Sequence, residues 1–99
     1  MLNINRAFEN GKAVLELEGK VDTNTFSQFA KELPLGDSSL KELVLDCKKL
    51  EYISSAGLRV ILSAINALAG RGTIRLVGVN DSVREILEMT GFADELTIE

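Results

Sequence analysis

The sequence predicts an α/β fold, in which helices pack on a mixed β-sheet in the order β-β-α-β-α-β-α, with a short strand compatible with the C-terminal tail. Three observations support this prediction. Apolar residues alternate with polar ones near the N-terminus, three later segments carry apolar residues at helical spacing, and short apolar runs separate these helices. Strands that alternate with helices favour right-handed parallel crossovers within one sheet.

The first two strands are predicted on either side of a tight turn. Apolar and polar residues alternate over residues 13–17, and a looser alternation covers residues 2–8. Asn10-Gly11 lies between them and is typical of a two-residue hairpin turn, because both residues tolerate positive φ. The chain therefore begins with a predicted antiparallel hairpin.

The first helix is predicted after the second strand. Asp22, Thr23 and Asn24 are all suitable N-cap residues, and Pro34 ends the helix. The apolar face of this helix consists of Phe26, Phe29, Ala30 and Leu33.

The third strand and the central helix follow. Leu43-Val44-Leu45 indicates an apolar strand that ends at Asp46, and the segment Glu51–Arg59 forms a turn into a helix that ends near Gly70. Helical spacing is shown by Leu58, Ile61, Leu62, Ile65 and Leu68.

The last strand and helix complete the predicted order. Thr73–Val77 indicates a strand, and Asn80-Asp81-Ser82 opens a helix whose serine lies three residues before Glu85, as in a capping box. Gly91 is a suitable C-terminal cap, and residues 92–98 are compatible with a short strand. The predicted buried face of this helix contains Val83, Ile86, Leu87 and Met89.

The composition is typical of one compact domain, which we expect to cover residues 1–99. Of the 99 residues, 45% are hydrophobic and 26% are charged, which allows a modest core. No apolar run approaches the roughly 20 residues needed to span a bilayer, and the N-terminus lacks the regions of a signal peptide. We expect a cytoplasmic protein without direct membrane insertion.

Several kinds of chemistry are disfavoured by the residue types present. The chain has no histidine, which excludes Ser–His catalysis and histidine-based zinc sites. The single Cys47 follows an apolar strand, so a buried structural thiol is favoured over a reactive one. A net charge of −4 disfavours nucleic acid, and Lys48-Lys49 is too short a basic cluster to reverse this. We expect a protein partner, with no catalytic residue, metal ion or cofactor.

The turn Glu51–Arg59 is the most informative part of the chain. It places Ser54 and Ser55 where a strand meets a helix, near free backbone N–H groups and the positive end of the helix dipole. Serine is also a preferred N-cap, so a purely structural role is the main alternative. One serine can cap the helix while the other stays available for phosphorylation, and Gly57 removes side-chain bulk close to both.

Several features occur together along nearly the whole chain: the early strand pair, Gly19-Lys20-Val21-Asp22, Leu43-Val44-Leu45-Asp46, the turn Ser54-Ser55-Ala56-Gly57-Leu58-Arg59, and Thr90-Gly91-Phe92. This combination resembles the STAS domain family, and within it the bacterial anti-sigma factor antagonists, or anti-anti-sigma factors. The resemblance implies a single-domain STAS fold. In that family the turn reads Asp-Ser-Ser/Thr-Gly-Leu, and the serine after Asp is phosphorylated by an anti-sigma factor that is also a serine kinase.

The resemblance also implies a phosphorylation site. Aligned through Gly57-Leu58, the family's Asp falls on Ser54, the phosphoacceptor on Ser55 and the second hydroxyl residue on Ala56. Ser54 thus replaces a carboxylate with a competing hydroxyl, and Ser55 is favoured over Ser54 as the acceptor.

The implied function is a noncatalytic switch that controls protein binding. The unphosphorylated form binds the anti-sigma factor and frees sigma factor to promote transcription, phosphorylation ends this complex, and a PP2C-type phosphatase resets the cycle. The implied partner-binding residues are Asp22, Thr23, Ser54, Ser55, Ala56, Gly57, Leu58 and Arg59.

Individual side chains keep alternative interpretations. Asp22 is either a helix cap or an acidic residue close to the phosphoacceptor. Arg59 is either a solvated charge or a partner for a carboxylate or phosphate. Ile53 and Leu58 are favoured as core residues over interface residues.

Two other functions compete with the switch. STAS domains also occur in transporters and lipid-transport complexes, so the alternative is an unphosphorylated accessory subunit of a transport or multiprotein signalling complex. An enzyme is least supported, because Ser55 with Asp22 or Asp46 and Arg59 lacks a histidine and a phosphate-binding Gly-rich motif.

Overall fold

The computed structural model describes residues 2–91 and 97–98. These residues form five strands and three helices, and the predicted element order is confirmed. The elements are β1 (Leu2–Glu9), β2 (Lys12–Val21), α1 (Phe26–Glu32), β3 (Glu42–Ile53), α2 (Ser55–Leu68), β4 (Thr73–Val77), α3 (Asp81–Met89) and β5 (Thr97–Ile98). Residues 92–96 of the predicted final strand lie outside the described residues.

The strands form one mixed sheet in the order β1-β2-β3-β4-β5. β1 and β2 are antiparallel, and Asn10 (φ 52°) and Gly11 (φ 80°) occupy the two positive-φ positions of their turn. The other neighbouring pairs are parallel. Val21 lies opposite Ile53 at the carboxyl ends of β2 and β3, so the loops that follow these two strands share one edge of the sheet.

The hydrophobic core lies between the helices and one face of the sheet. Leu15 pairs with Leu45, and Leu45 pairs with Leu76, across three neighbouring strands, and all three side chains are buried. Phe29 of α1 and Ile61 of α2 belong to the same cluster. The even-numbered residues of β2 are exposed or half-buried on the opposite face, which explains the alternation seen in the sequence.

β3 is longer than the sequence predicts. The apolar run indicates an end at Asp46, yet the strand continues to Ile53. Its second half stays paired with β2, where Tyr52 lies opposite Lys20, across two register shifts. Charged residues such as Lys48-Lys49 hide the strand pattern in this half, so backbone pairing with β2 determines where the strand ends.

α1 begins later than predicted and ends as predicted. Its N-cap residue is Thr25 rather than one of residues 22–24, and no side-chain hydrogen bond caps the helix. The Thr25 hydroxyl instead donates to the carbonyl oxygen of Lys20 (2.8 Å), which ties the turn to the end of β2. Leu33 is extended (ψ 123°), as expected for a residue before Pro34.

α3 differs from the prediction at its N-cap and in one residue of its buried face, whereas Gly91 (φ 79°) follows its C-terminal end as predicted. Asn80 is its N-cap, and the side-chain oxygen of Asn80 accepts a hydrogen bond from the backbone N–H of Val83 (2.8 Å). The predicted capping box at Ser82 is therefore wrong. Leu87 is fully buried, but Met89 is 79% exposed, because two residues along a helix rotate a side chain by about 200°.

Candidate functional site

The turn between β3 and α2 assigns different environments to its two serines. Ser54 is the N-cap of α2 and is buried, and its Oγ accepts a hydrogen bond from the backbone N–H of Gly57 (3.3 Å). The backbone N–H of Ser54 donates to the carbonyl oxygen of Val21 (2.8 Å). Ser54 therefore holds the start of α2 against the end of β2.

Ser55 is the first residue of α2 and is exposed. No hydrogen bond joins its hydroxyl to another residue within the described part of the chain, and the first turn of α2 contains no acidic side chain. The hydroxyl of Ser55 is thus accessible from solvent at a helix N-terminus, where added negative charge is tolerated. The two serines separate into one capping residue and one accessible residue.

Gly57 allows α2 to approach the strand ends closely. A Cβ atom at this position would lie 2.6 Å from Val21 Cγ1 and 2.7 Å from Ile53 Cγ1, far closer than carbon atoms pack. Ile53 and Leu58 are both buried, so their alternative role as interface residues is wrong. Gly57 and Leu58 support the turn from beneath.

The turn between β2 and α1 lies beside the serine turn and centres on Asp22. Asp22 Oδ1 accepts hydrogen bonds from the backbone N–H groups of Asn24 (2.9 Å) and Thr25 (3.1 Å). The Asn24 N–H and then the hydroxyl and N–H of Thr25 hold the pKa of Asp22 below its usual value, against a smaller opposing effect of desolvation. The half-buried carboxylate therefore stabilises the turn as an anion, while Thr23 is exposed next to it.

The fold brings together residues that are far apart in the sequence. The Val21–Ile53 pairing and the hydrogen bond from Ser54 to Val21 set the two turns side by side. Thr23 and Ser55 are exposed at this edge of the sheet, whereas Asp22 is half-buried. Six of the eight sequence-predicted partner-binding residues lie on these two turns and the start of α2, and we call this region the switch edge: Asp22, Thr23, Ser54, Ser55, Ala56 and Arg59. The other two, Gly57 and Leu58, are buried beneath it.

A groove of about 310 Å³ runs from the switch edge between α1 and α2. Of its lining residues in the described part of the chain, Arg59 alone is charged, and the rest are mainly apolar. Phe26 is 38% exposed and borders the groove rather than the core, which corrects its predicted place on the buried face of α1. The groove is lined by Phe26, Ala30, Leu33, Leu35, Ala56, Arg59, Val60 and Ser63.

This groove was not predicted from the sequence. A signal was present in α2, where the small residues Ala56 and Ser63 lie on the same flank as Val60 and leave room for a depression. Their partners on α1 could not be known until the packing of the two helices was known. Arg59 lines the groove, and its side chain has no hydrogen bond or ion pair to another described residue.

Other titratable and metal-ligating groups offer little chemistry. Cys47 is buried, and burial followed by the nearby charge of Asp46 raises the pKa of its thiol to about 12, so the thiol stays protonated. No cluster of three or more His, Cys, Asp or Glu residues positioned for a metal ion occurs within residues 2–91 and 97–98. None of the helices in these ranges is long and apolar enough to cross a membrane.

Comparison with known proteins agrees with the fold. The model of the STAS domain family matches residues 3–99. The chain is 36% identical over 85 residues to "Putative anti-sigma factor antagonist BtrV" of Bordetella bronchiseptica, covering 84% of this chain and 73% of that protein.

Solved structures of anti-sigma factor antagonists share the fold at low sequence identity. One from Mycobacterium paratuberculosis superimposes with a TM-score of 0.85 at 19% identity, covering 99% of this chain and 85% of that one. The Bacillus cell fate determinant SpoIIAA in its phosphorylated form gives a TM-score of 0.75 at 15% identity, with 100% and 91% covered. With the family match over nearly its entire length, the chain belongs to the STAS domain family.

Proposed function

We propose that this protein is an anti-sigma factor antagonist whose protein binding is controlled by phosphorylation of Ser55. In its unphosphorylated form it binds an anti-sigma factor that is also a serine kinase, and sigma factor is thereby released to promote transcription. Phosphorylation by that kinase ends the complex, and a PP2C-type phosphatase restores the unmodified form. The observation that carries the proposal is the division of the serine turn into a buried capping Ser54 and an exposed Ser55, whose hydroxyl has no hydrogen bond to any other residue that the structure describes.

The relatives support the class of partner. The Bordetella protein at 36% identity is named as an anti-sigma factor antagonist, and a structural neighbour with that function is known in a phosphorylated form. In this chain Ser54 stands where the family has Asp, but its side chain caps α2. Capping by Ser54 keeps its hydroxyl engaged and supports Ser55 as the acceptor.

The physical effect of the modification follows from the position of Ser55. A phosphoryl group adds about −1.5 to −2 charges and three acceptor oxygens. At the first residue of a helix this charge stabilises the domain by roughly 0.3–1 kcal/mol, so the fold is retained. A partner surface packed against the switch edge instead faces a desolvated dianion, which costs several kcal/mol of binding free energy.

Noncatalytic binding fits the chemistry of the switch edge. Ser55 has no histidine available as a general base anywhere in the chain. The Asp22 carboxylate is engaged by backbone N–H groups of its own turn and helps to hold the surface that a partner would contact. Thr23, Ser55, Ala56 and Arg59 provide the accessible part of that surface.

The proposal is tested by pull-down from the source cell's lysate with the wild type, Ser55→Ala and Ser55→Asp as baits. We expect the wild type and Ser55→Ala to capture an anti-sigma factor with a kinase domain, and Ser55→Asp to lose it. After ATP is added, site mapping should find about 80 Da of added mass on Ser55 of the wild type. Asn66→Asp is the matched control for added charge, because Asn66 is also exposed on α2 but lies three turns further along and does not line the groove.

Two outcomes would contradict the proposal. Phosphate on Ser54 with none on Ser55 would show that the capping serine is the acceptor. Capture of the same membrane or multiprotein assembly by all variants, with phosphate on neither serine, would replace the switch with an unphosphorylated accessory subunit.

A further inference from the structure

We propose that Arg59 binds the phosphoryl group on Ser55, so that modification withdraws the one cation among the described residues that line the groove between α1 and α2. This inference rests on the proposed phosphorylation of Ser55 and adds the residue that receives the phosphate. It assigns to Arg59 a different role in each state: a free cation beside the groove before modification, and an internal ion-pair partner after it.

The spacing of the two residues brings them together. Ser55 and Arg59 are four residues apart on α2, so they are one helical turn apart and their directions differ by about 40° around the axis. Long helical side chains extend toward the helix N-terminus. The guanidinium of Arg59 can therefore reach over the first turn of α2, where the phosphoryl oxygens of a modified Ser55 would lie.

Arg59 is also free to move. Its side chain is exposed and has no hydrogen bond or ion pair to any residue that the structure describes, so forming the new pair breaks no existing contact. It is the only charged residue in the sequence of α2, and no acidic side chain in the first turn competes for it. A guanidinium matches a phosphate through two parallel N–H···O hydrogen bonds.

The position of Arg59 beside the groove determines how a pair between Arg59 and phosphorylated Ser55 would affect partner binding. Ala56 and Val60 line the groove on one side of Arg59, and Ser55 lies on its other side around the helix. When Arg59 turns toward Ser55, the groove keeps its apolar lining but loses its cation. A partner whose carboxylate meets Arg59 beside this groove thus loses that ion pair in addition to meeting the new dianion.

The test measures the phosphate directly and requires no partner protein. Phosphoserine is incorporated at position 55 by amber suppression, and its second pKa, about 6 for a free phosphoserine, is measured by phosphorus NMR. Samples are the otherwise wild-type chain, Arg59→Gln and the matched control Arg84→Gln. Arg84 is also an arginine in the second turn of a helix, and it too has no ion pair to a described residue.

We expect the wild type and Arg84→Gln to share a phosphate pKa that lies roughly 0.15–0.4 unit below that of Arg59→Gln, the size expected for an exposed pair one turn apart. This difference should shrink in 1 M salt. The charged groups of the neighbouring turn and of α1, Asp22, Lys31 and Glu32, are the same in every sample, so their effects cancel.

A second measurement separates the pair from a general field effect. On phosphorylation, the Arg59 Nε–Hε resonance and the Val60 methyl resonances should shift in the wild type, and the Val60 shift should be reduced in Arg59→Gln. Equal phosphate pKa values in all three samples would overturn the inference, as would an equal change in Arg84→Gln. The phosphoserine is incorporated during synthesis of the protein and does not depend on a kinase. A negative result here therefore leaves the proposed function untouched. Conversely, failure to find a kinase for Ser55 would not prevent this test of the Arg59–phosphoserine pair.

Discussion

The turn into α2 and the turn into α3 have the same architecture but differ in charge. Both follow a parallel strand, and both N-cap residues are extended, Ser54 at φ −88°, ψ 173° and Asn80 at φ −76°, ψ 168°. Each side chain accepts a hydrogen bond from the backbone N–H three residues later. The first residue of α3 is Asp81, an acidic side chain at the positive end of the dipole, whereas that of α2 is the uncharged Ser55.

This difference favours the turn into α2 over the turn into α3 as the place of the proposed phosphorylation. Asp81 already stabilises its helix start, and phosphorylation of Ser55 would give α2 an anion at the equivalent position. After modification, the turn into α2 would therefore resemble the turn into α3, which already has an acidic side chain at its first helical residue. The third residues also differ, because Gly57 gives α2 close contact with the strand ends while Val83 enters the core.

The largest expected effect comes from removing the close approach of α2. Gly57→Val should lower the free energy of unfolding by about 3 kcal/mol, because its Cβ meets Val21 and Ile53 below 3 Å and overpacking of this kind forces neighbours to shift. Urea denaturation followed by circular dichroism measures the change. The control is Gly36→Val, where no atom lies within 4 Å of the added Cβ; an equal loss there would show that steric contact at Gly57 is not the cause.

The cap of α3 should be the more important of the two caps. Asn80→Ala removes the bond to the Val83 N–H and also the bond from Asn80 Nδ2 to the Leu50 carbonyl oxygen (3.0 Å). We expect a loss of about 2 kcal/mol, as the sum of a cap and a hydrogen bond. Asn80→Asp keeps the oxygen that accepts from the Val83 N–H but lacks the Nδ2 donor to Leu50. Its free energy of unfolding, measured by chemical denaturation, should therefore lie between those of the wild type and Asn80→Ala.

The cap of α2 should contribute less. Ser54→Ala removes a single, longer hydrogen bond to the Gly57 N–H (3.3 Å), and we expect a loss of about 1 kcal/mol. Ser55→Ala, the neighbouring substitution at an exposed hydroxyl, should leave the midpoint of denaturation unchanged. A larger loss for Ser55→Ala than for Ser54→Ala would reverse the assignment of the two serines.

The smallest effects test the charge difference itself. Ser55→Asp should stabilise the domain by roughly 0.3–1 kcal/mol, and Asp81→Ser should destabilise it by a similar amount, because each changes one charge at a helix N-terminus. Thermal denaturation at low and high salt should show both changes and their loss at high salt. A destabilising Ser55→Asp or a stabilising Asp81→Ser would mean that local contacts outweigh the helix dipole at these turns.

Local patterns were sufficient for much of the fold. The hairpin was predictable because Asn10-Gly11 is one of the few pairs that adopt positive φ easily, and Pro34 marks the end of α1 by its effect on the preceding residue. The serine turn was predictable because a strand, a capping residue and a helical apolar pattern occur in direct succession. The interpretation that one serine caps while the other is free also required only the sequence.

Other features depended on contacts between distant segments. The end of β3 is set by pairing with β2, and the charged residues at 48, 49 and 51 conceal it. The N-cap of α1 is Thr25, later than predicted, because the Thr25 hydroxyl donates a hydrogen bond to the carbonyl oxygen of Lys20 near the end of β2. The groove beside Arg59 arises where α1 packs on α2, and neither helix by itself indicates which flank remains open.

The sequence by itself determined the order of the elements, the hairpin, the position of the serine turn and the absence of a histidine, because these depend on residue types and their spacing along the chain. Tertiary structure alone decided that the turn with Asp22 and the serine turn share one edge of the sheet, that no space remains for a Cβ at position 57 against Val21 and Ile53, and that Arg59 lines an apolar groove. These relations arise from strand pairing and helix packing, which join segments that local propensity treats as independent.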